Sequence, residues 1–581
     1  MVKVRYRILS IAVFLMVAVF GTRLFLVQIL NHGEYVDTAN SVRVKKYELL
    51  AKRGEIFMKS GEDEVVPLVL NERTWTIFVD PSYVINRDKV QAKLTEILGD
   101  QLIVDWDKNV WNDLTNMYVE VAKNVDYDTV SAIKKEGLQG VGQKETSRRV
   151  YPRNELAAQV VGFINAEGVG TGIEGAQNES LSGENGSLKT VTDVNDIPLS
   201  LGDENVEVPA KDGESLVLTL DENVQRESEK ALKDIYDEYQ GGIRHASVVV
   251  MNPQNGQIYS MANYPTFNPQ EYYNVTDGSL FVNTPTDSPY EPASICKTFT
   301  YATAVDQGKI NPEDTYVNTG HTQVEDISIQ NAGGSLQQSG TITFQTALNY
   351  SLNTGSVEVL RRIGNNSIDE SARWTLYNYL TDNFALGKAT GVGLYEASGT
   401  IISPAELEGN AVRYSNMSFG HGMNLTMVQV LAGFSSIVNG GEYYKPTVLA
   451  GKMVDGEYVP NPENAPDHRA VSDSTSATMR QMLATVREQS WNGGNDDPAG
   501  YIIGSKTGTG ETLNDDGTYT SDKTVVGVAG YGMSSREGAM PEYTILVRVD
   551  GETLLWGSEA IKVFTRLSNY MIEYLRIQPG A

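Results

Sequence analysis

Lys506-Thr507-Gly508-Thr509 lies downstream of Ser294-Ile295-Cys296-Lys297 and Ser351-Leu352-Asn353, and this ordered trio decides the reading of the chain. Each motif alone is weak; the order carries the information. Acyl transfer needs an activated hydroxyl, a nearby base, a proton route to the leaving amine, and donors aimed at an oxyanion. If a helix begins near Ala293, positions i and i+3 share a face, which returns the Lys297 ammonium beside the Ser294 hydroxyl. The unpaired amides at such a helix start favour developing negative charge. Lys297 serves as base only where burial or a second cation lowers its pKa, and Lys506 is the candidate cation.

Ser351 and Asn353 are two apart, a spacing that sends both side chains the same way from an extended or loop segment. There a hydroxyl relays a proton and an amide holds a peptide backbone. Gly500–Thr509 reads as a strand in which Gly504 and Gly508 remove side chains where a substrate backbone approaches. Lys506, Thr507 and Thr509 are then placed to bind a carboxylate.

Plainer readings compete. Ser294 and Lys297 alone would be a solvated first helical turn, and Ser351-Leu352-Asn353 alone a cap-and-turn cluster; the order of the motifs weighs against both. Cys296, the only cysteine, faces away from Ser294 and Lys297 and reads as a small apolar core residue. His32, His245, His321, His421 and His468 fall into no triad or metal-ligand spacing, so a lysine-driven mechanism suits the inventory. With no H-E-x-x-H and no calcium-loop pattern, neither a catalytic metal nor a cofactor is expected, and one cysteine allows no internal disulfide.

Ile8–Leu30 is almost wholly apolar and would rise about 34 Å as a helix, enough to span a hydrocarbon layer of roughly 30 Å. Lys3, Arg5 and Arg7 precede it while Glu34 and Asp37 follow, which predicts a cytoplasmic N-terminus and an extracytoplasmic bulk. Arg23 sits inside the run, near enough to its outer end to snorkel. With no A-x-A-like site after the run, an uncleaved anchor is expected over a signal peptide. A formal net charge of −27 argues against nucleic acid and against docking on an anionic membrane surface. With 40% hydrophobic and 21% charged residues, that acidity reads as ordinary solubility.

Residues 31 to about 212 mix strand-like stretches (Val42–Leu50, Trp75–Val79) with helical ones (Val90–Leu98, Thr129–Lys135) and hold no catalytic constellation. Gly170–Gly175 matches G-x-G-x-x-G, yet the polar Ala176–Gly186 that follows cannot supply the helix that a dinucleotide site needs. Leu201–Gly213 reads as a boundary. Leu216–Leu220 then alternates as a strand, Val224–Tyr239 is an amphipathic helix, and Ala246–Met251 with Gln257–Ala262 forms a hairpin. Val525–Tyr531 and Tyr543–Asp550 alternate again, Glu559–Ile577 closes as a helix, and Asn492–Pro498 and Asn514–Gly517 read as surface loops. Strands at both ends with helices between predict an α/β (α+β) fold, an antiparallel sheet covered by helices.

The ordered trio is the established signature shared by class A β-lactamases and penicillin-binding proteins. Further stretches resemble one branch of them: Arg53-Gly54-Glu55-Ile56, Arg149–Gly162, Gly172-Ile173-Glu174, Leu218-Thr219-Leu220-Asp221, Ala262–Pro269, Tyr290-Glu291-Pro292 and Ser418-Phe419-Gly420. The chain thus resembles, over nearly its whole length, a class B penicillin-binding protein, a membrane-anchored peptidoglycan D,D-transpeptidase. It departs from the pattern at Met58-Lys59 (usually Asp-Arg), at Ala293 (commonly glycine) and at His421 (commonly glutamine).

The resemblance implies a penicillin-binding transpeptidase fold with a helical subdomain, preceded by an elongated pedestal and one transmembrane helix. The implied division is 1–7 cytoplasmic tail, 8–30 anchor, 31–212 pedestal or dimerisation-type domain, and 213–581 transpeptidase domain. It also implies roles. Ser294 is acylated by a D-Ala-D-Ala stem peptide and the acyl group passes to an acceptor amine. Lys297 is the base, Ser351 the proton relay and Asn353 a substrate ligand. Lys506, Thr507 and Thr509 hold the carboxylate end beside Gly508, and the amides of Ser294 and Thr509 form the oxyanion hole. Implied partners are stem peptides, β-lactams, a membrane-embedded glycan polymerase and other wall-synthesis or division proteins. Asn353 followed by Thr354-Gly355 resembles division-type members more than elongation-type ones. A D,D-carboxypeptidase, a β-lactam-hydrolysing or sensing protein, and a catalytically silent scaffold of the same fold remain open. A glycosyltransferase domain ahead of residue 213 is not expected, since no such acidic motif occurs there.

Overall fold

Val525–Tyr531 and Tyr543–Asp550 put β-branched residues on both faces of their strands, the pattern of a sheet covered on both sides. In this computed structural model they lie within strands Tyr519–Ser534 and Tyr543–Gly551. The structure describes residues 2–33, 44–62, 64–165, 167–191, 206–332, 338–489, 492–513, 519–553 and 557–580. Glu34, Asp37, the starts of Val42–Leu50 and Leu201–Gly213, and the loop Asn514–Gly517 lie outside the described residues.

Five antiparallel strands form the central sheet, in the order Ile258–Tyr264, Ile243–Met251, Tyr543–Gly551, Tyr519–Ser534 and Tyr501–Leu513. Helices Glu222–Glu238 and Ser558–Tyr574 cover one face. Their apolar stripes, including Leu232, Ile235, Phe564 and Leu567, bury against Val248, Val528 and Val547. Asp221 caps the first helix by accepting from the Asn223 and Val224 amides. Each fully buried Leu, Ile, Val or Phe in that layer contributes roughly 1.5–3 kcal/mol. The other face takes Met427–Val438, a helix buried along its whole length, which is why it reads apolar all round. Ser435 there shares a 2.8 Å hydrogen bond with Thr544 of the sheet.

By packing, the described chain forms two units: Met1–Gly54 with Glu179–Glu214, and Glu55–Asn178 with Ser215–Ala581. The first carries helix Val2–Phe25, continued by a wider turn Leu26–Leu30. The helix long and apolar enough to cross a membrane runs over Lys3–Leu30, so it begins ahead of the expected Ile8 and includes Lys3, Arg5 and Arg7. That unit also carries a three-stranded antiparallel sheet, Val44–Leu49, Gly186–Val191 and Val206–Val208.

The expected strand at Leu216–Leu220 exists as Ser215–Asp221, but it belongs to a different sheet from the one that carries Lys506. It pairs in parallel with Ile56–Ser60 and antiparallel with Leu449–Val454. Its residues from Leu216 onward are all buried, which an interior strand requires and alternation alone does not reveal. That parallel pairing is why Glu55–Asn178 packs with Ser215–Ala581 rather than separating after residue 212. Further out, the long strand Glu64–Val79 pairs with Val119–Val125 and Val141–Val150, and helices Arg87–Leu98 and Tyr127–Lys135 close a core around Ile77 and Leu94.

Two stretches singled out in the sequence take on structural roles. The glycines of Gly170–Gly175 serve backbone packing: a Cβ at Gly170 would lie 2.5 Å from the Phe163 carbonyl, and one at Gly172 2.5 Å from that of Val160. Asn492–Pro498 is not a free surface loop. Arg487, fully buried, pairs with Asp497 at 2.7 Å and also binds the Asn492 carbonyl, so the loop is fastened to the helix before it.

Candidate active site

Ala293–Cys296 forms a 3-10 turn that runs directly into helix Lys297–Asp306, so Ser294 and Lys297 occupy successive turns as their spacing predicts. Ala293 holds φ +48°, the left-handed region that costs a non-glycine residue roughly 1–2 kcal/mol. Close backbone approaches brace it. A Cβ on Gly508 would sit 2.6 Å from the Pro292 carbonyl oxygen, and one on Gly420 would sit 1.9 Å from that of Ala293. The edge strand and the Gly420 loop therefore each touch the nucleophile turn through a bare backbone. Glu291 adds a clamp: its carboxylate accepts from the Gly422 amide at 2.8 Å and faces His421 Nδ1 at 3.3 Å. Tyr290 lies under the Arg548 guanidinium at 4.3 Å, and Arg548 is itself paired with Asp550 at 2.9 Å.

Lys297 and Lys506 are both 1% exposed. Lys297 Nζ donates to the Ser351 carbonyl at 2.5 Å and to Asn353 Oδ1 at 2.8 Å, and lies 3.3 Å from Ser351 Oγ. Lys506 Nζ donates to Ser351 Oγ at 2.9 Å and to the Thr507 carbonyl at 3.0 Å. Burial, with the Lys506 charge behind it, holds the Lys297 ammonium well below the usual lysine range. Burial brings Lys506 down to about 7. A lysine in that state can take a proton from a neighbouring hydroxyl near neutral pH.

Ser351 and Asn353 do converge, by a route other than an extended segment. Ser351 adopts φ +54° and Asn353 opens helix Asn353–Ile363, so a left-handed turn aims the pair. Asn353 Nδ2 donates to the Gln330 carbonyl at 3.0 Å. Beneath it, Asn331 Oδ1 accepts from the Thr354 amide at 3.0 Å and its hydroxyl at 3.1 Å. On the edge strand, Lys506 and Gly508 face the nucleophile turn, and strand alternation sends Thr507 and Thr509 to the other face. Among the described residues, no hydrogen bond joins those threonine side chains to Ser294, Lys297 or Ser351. Cys296 is buried away from solvent, and burial pushes its thiol far up, so it behaves as core.

The model of the penicillin binding protein transpeptidase domain matches residues 246–564, over half the chain. The chain belongs to the penicillin-binding protein transpeptidase family. A penicillin-binding protein dimerisation domain matches residues 48–218 of this penicillin-binding protein, the arrangement of its class B members. It is 28% identical over 596 residues to stage V sporulation protein D of Bacillus subtilis, covering 100% of this chain and 87% of that one. It is 25% identical to the peptidoglycan D,D-transpeptidase FtsI of Escherichia coli, covering 99% and 93%. Penicillin-binding protein 2X from Streptococcus thermophilus shares the fold with TM-score 0.70 at 22% identity, over 92% of this chain and 80% of that one.

Three contributors were invisible as functional residues in the sequence. Glu291 and Phe419 stood in recognisable stretches without a role, and Asn331 gave no signal, since only folding brings it under Thr354. The Phe419 ring centre lies 6.0 Å from Lys297 Nζ.

Proposed function

We propose that this penicillin-binding protein cross-links peptidoglycan by serine acyl transfer. Ser294 attacks the penultimate D-alanine carbonyl of a stem peptide, with Lys297 as unprotonated base and Ser351 relaying the proton to the departing D-alanine. Asn353 holds the peptide, Lys506 holds its carboxylate end beside the bare backbone of Gly508, Thr507 and Thr509 contribute through the strand backbone that flanks it, and the amides of Ser294 and Thr509 receive the oxyanion. The observation that carries this reading is the convergence of two buried lysines on one hydroxyl, with Ser351 Oγ 2.9 Å from Lys506 and 3.3 Å from Lys297. A β-lactam acylates the same serine. A silent scaffold would have no reason to keep two lysine side chains buried, one of them only by giving up its charge.

The proposal extends to the cell. Residues 1–7 are cytoplasmic, 8–30 anchor the chain, 31–212 act as pedestal and partner-binding region, and 213–581 carry catalysis outside the membrane. The apolar span Lys3–Leu30 supports the anchor, and the dimerisation-domain match at 48–218 supports the pedestal. Asn353-Thr354-Gly355 and the full-length likeness to FtsI of Escherichia coli favour septal wall synthesis beside a membrane-embedded glycan polymerase. The match to a stage V sporulation protein over 100% of this chain makes sporulation the second setting for the same reaction. Labelling with a fluorescent penicillin, followed by cross-linking of lipid-linked peptidoglycan with a polymerase present, tests the reading. Labelling with cross-linked product is expected. Labelling followed only by loss of the terminal D-alanine, leaving trimmed and uncross-linked stem peptides on the glycan, would make the chain a carboxypeptidase, and no labelling would make it a scaffold.

A further inference from the structure

A cavity of about 450 Å³ opens beside the catalytic lysine on the Gly420 side of the nucleophile turn. Its lining includes Glu408, Val412, Arg413, Asn416, Phe419 and His421. Phe419 is the shared wall: one ring borders the cavity and lies 6.0 Å from Lys297 Nζ. The edge strand approaches the same turn separately, through Gly508 against Pro292. The nucleophile turn is thus flanked by two surfaces, and the reaction consumes two peptides.

The lining is chemically mixed. Arg413 gives Nη2 to Glu408 Oε2 at 2.8 Å and keeps other N–H donors. Asn416 is half-buried, and its side-chain amide makes no hydrogen bond among the described residues. His421 faces Glu291 at 3.3 Å, which ties the cavity floor to the turn bearing Ser294. A cation, an anion, an amide and an apolar ring side by side suit a peptide arm that carries both a carboxylate and an amine.

We propose that this cavity is the acceptor subsite, binding the second stem peptide by a carboxylate on Arg413 and a backbone amide on Asn416, with its amine directed past Phe419 toward Ser294. This rests on the transpeptidase reading above. The acceptor nitrogen attacks the acyl carbonyl carbon on Ser294 and a C–N bond forms. The nitrogen gives its surplus proton to Lys297, left unprotonated once the departing D-alanine has carried the first proton away; the bond from the acyl carbon to Ser294 Oγ breaks, and Oγ recovers that proton from Lys297. No oxidant or further reactant is needed. Arg413 and Asn416 are specificity-determining residues in this account, and His421 positions the floor.

The test uses the full chain in detergent with a thioester stem-peptide analogue as donor. Two acceptor peptides are compared, one whose diamino-acid residue has a free side-chain amine and a carboxylate, the other with that carboxylate amidated. The readout is aminolysis against hydrolysis of the acyl-enzyme. The parent chain should favour the carboxylate acceptor at least fivefold. Arg413→Ala should erase that preference, Arg413→Lys should retain part of it, and Asn416→Ala should lower aminolysis of both acceptors. If Arg413→Ala does not fold, the other two variants decide. Parent-like ratios in the folded variants, or no acceptor preference in the parent chain, overturn the proposal. A parent chain that forms no Ser294 adduct overturns the transpeptidase reading itself.

Discussion

Lys506 Nζ donates to Ser351 Oγ at 2.9 Å, so the hydroxyl at the middle of the site answers to a second buried ammonium besides Lys297. Two cations in one dry cleft cannot both stay charged at low cost, and the one with the additional like charge against it yields its proton first.

Acylation should therefore follow a bell-shaped pH profile. It rises as Lys297, held well below the lysine range, loses its proton, and it falls as Lys506 deprotonates near about 7 and the carboxylate-binding charge disappears. Lys506→Arg keeps that charge at any accessible pH and should remove the alkaline limb. Second-order acylation rates by a chromogenic cephalosporin from pH 5 to 9 check this; an unchanged alkaline limb in the variant would contradict it.

Lys297→Arg retains a cation but cannot release a proton. Acylation should fall by at least about a thousandfold, within the range of general-base contributions combined with lost geometry. Stopped-flow labelling that returned near-parent rates would make Lys297 a structural residue.

Backbone contact at the nucleophile turn gives opposite signs at two positions. Gly420→Ala places a Cβ 1.9 Å from the Ala293 carbonyl at φ +89°, and should lower the unfolding temperature and sharply reduce acylation. Ala293→Gly removes the left-handed penalty and, after its backbone entropy cost, should stabilise by at most about 1 kcal/mol. Calorimetry showing Ala293→Gly clearly destabilised would mean that the turn is not strained.

Thr354→Val keeps the shape of a fully packed side chain but removes the hydroxyl donor shared by Asn331 Oδ1 and Asn318 Oδ1, which keep the amides of residue 354 and Gly320. The cost should be about 0.5–1.5 kcal/mol, that of a hydrogen bond lost where neither acceptor is left bare. Because Asn353 is the adjacent residue and binds Lys297, acylation should slow as well. Denaturant unfolding together with labelling rates distinguishes this from a purely surface effect.

What could be read from residue order and what could not divides along a physical line. The hairpin Ala246–Met251 with Gln257–Ala262, the strand at Gly500–Thr509 and the closing helix Glu559–Ile577 are local periodicities, and each appears within a residue or a few of its expected bounds. Lys297 beside Ser351 and Asn353 followed from motif order. The left-handed Ala293 and Ser351 did not, because neither residue type signals positive φ; the close approach of Gly420 and the turn before Asn353 impose it. The sheet that takes Ser215–Asp221 was equally hidden, since parallel pairing with Ile56–Ser60 joins residues about 160 apart and leaves no periodic trace. Glu291 and Asn331 act through partners that only the fold supplies.

The most direct measurement is site-resolved mass spectrometry of the penicillin adduct on the full chain and on Ser294→Ala. The account predicts a single adduct on the peptide carrying Ser294, and its loss, on the order of a millionfold in rate, from a variant that still unfolds at the parent temperature. An adduct on any other residue, or undiminished labelling of Ser294→Ala, would contradict it.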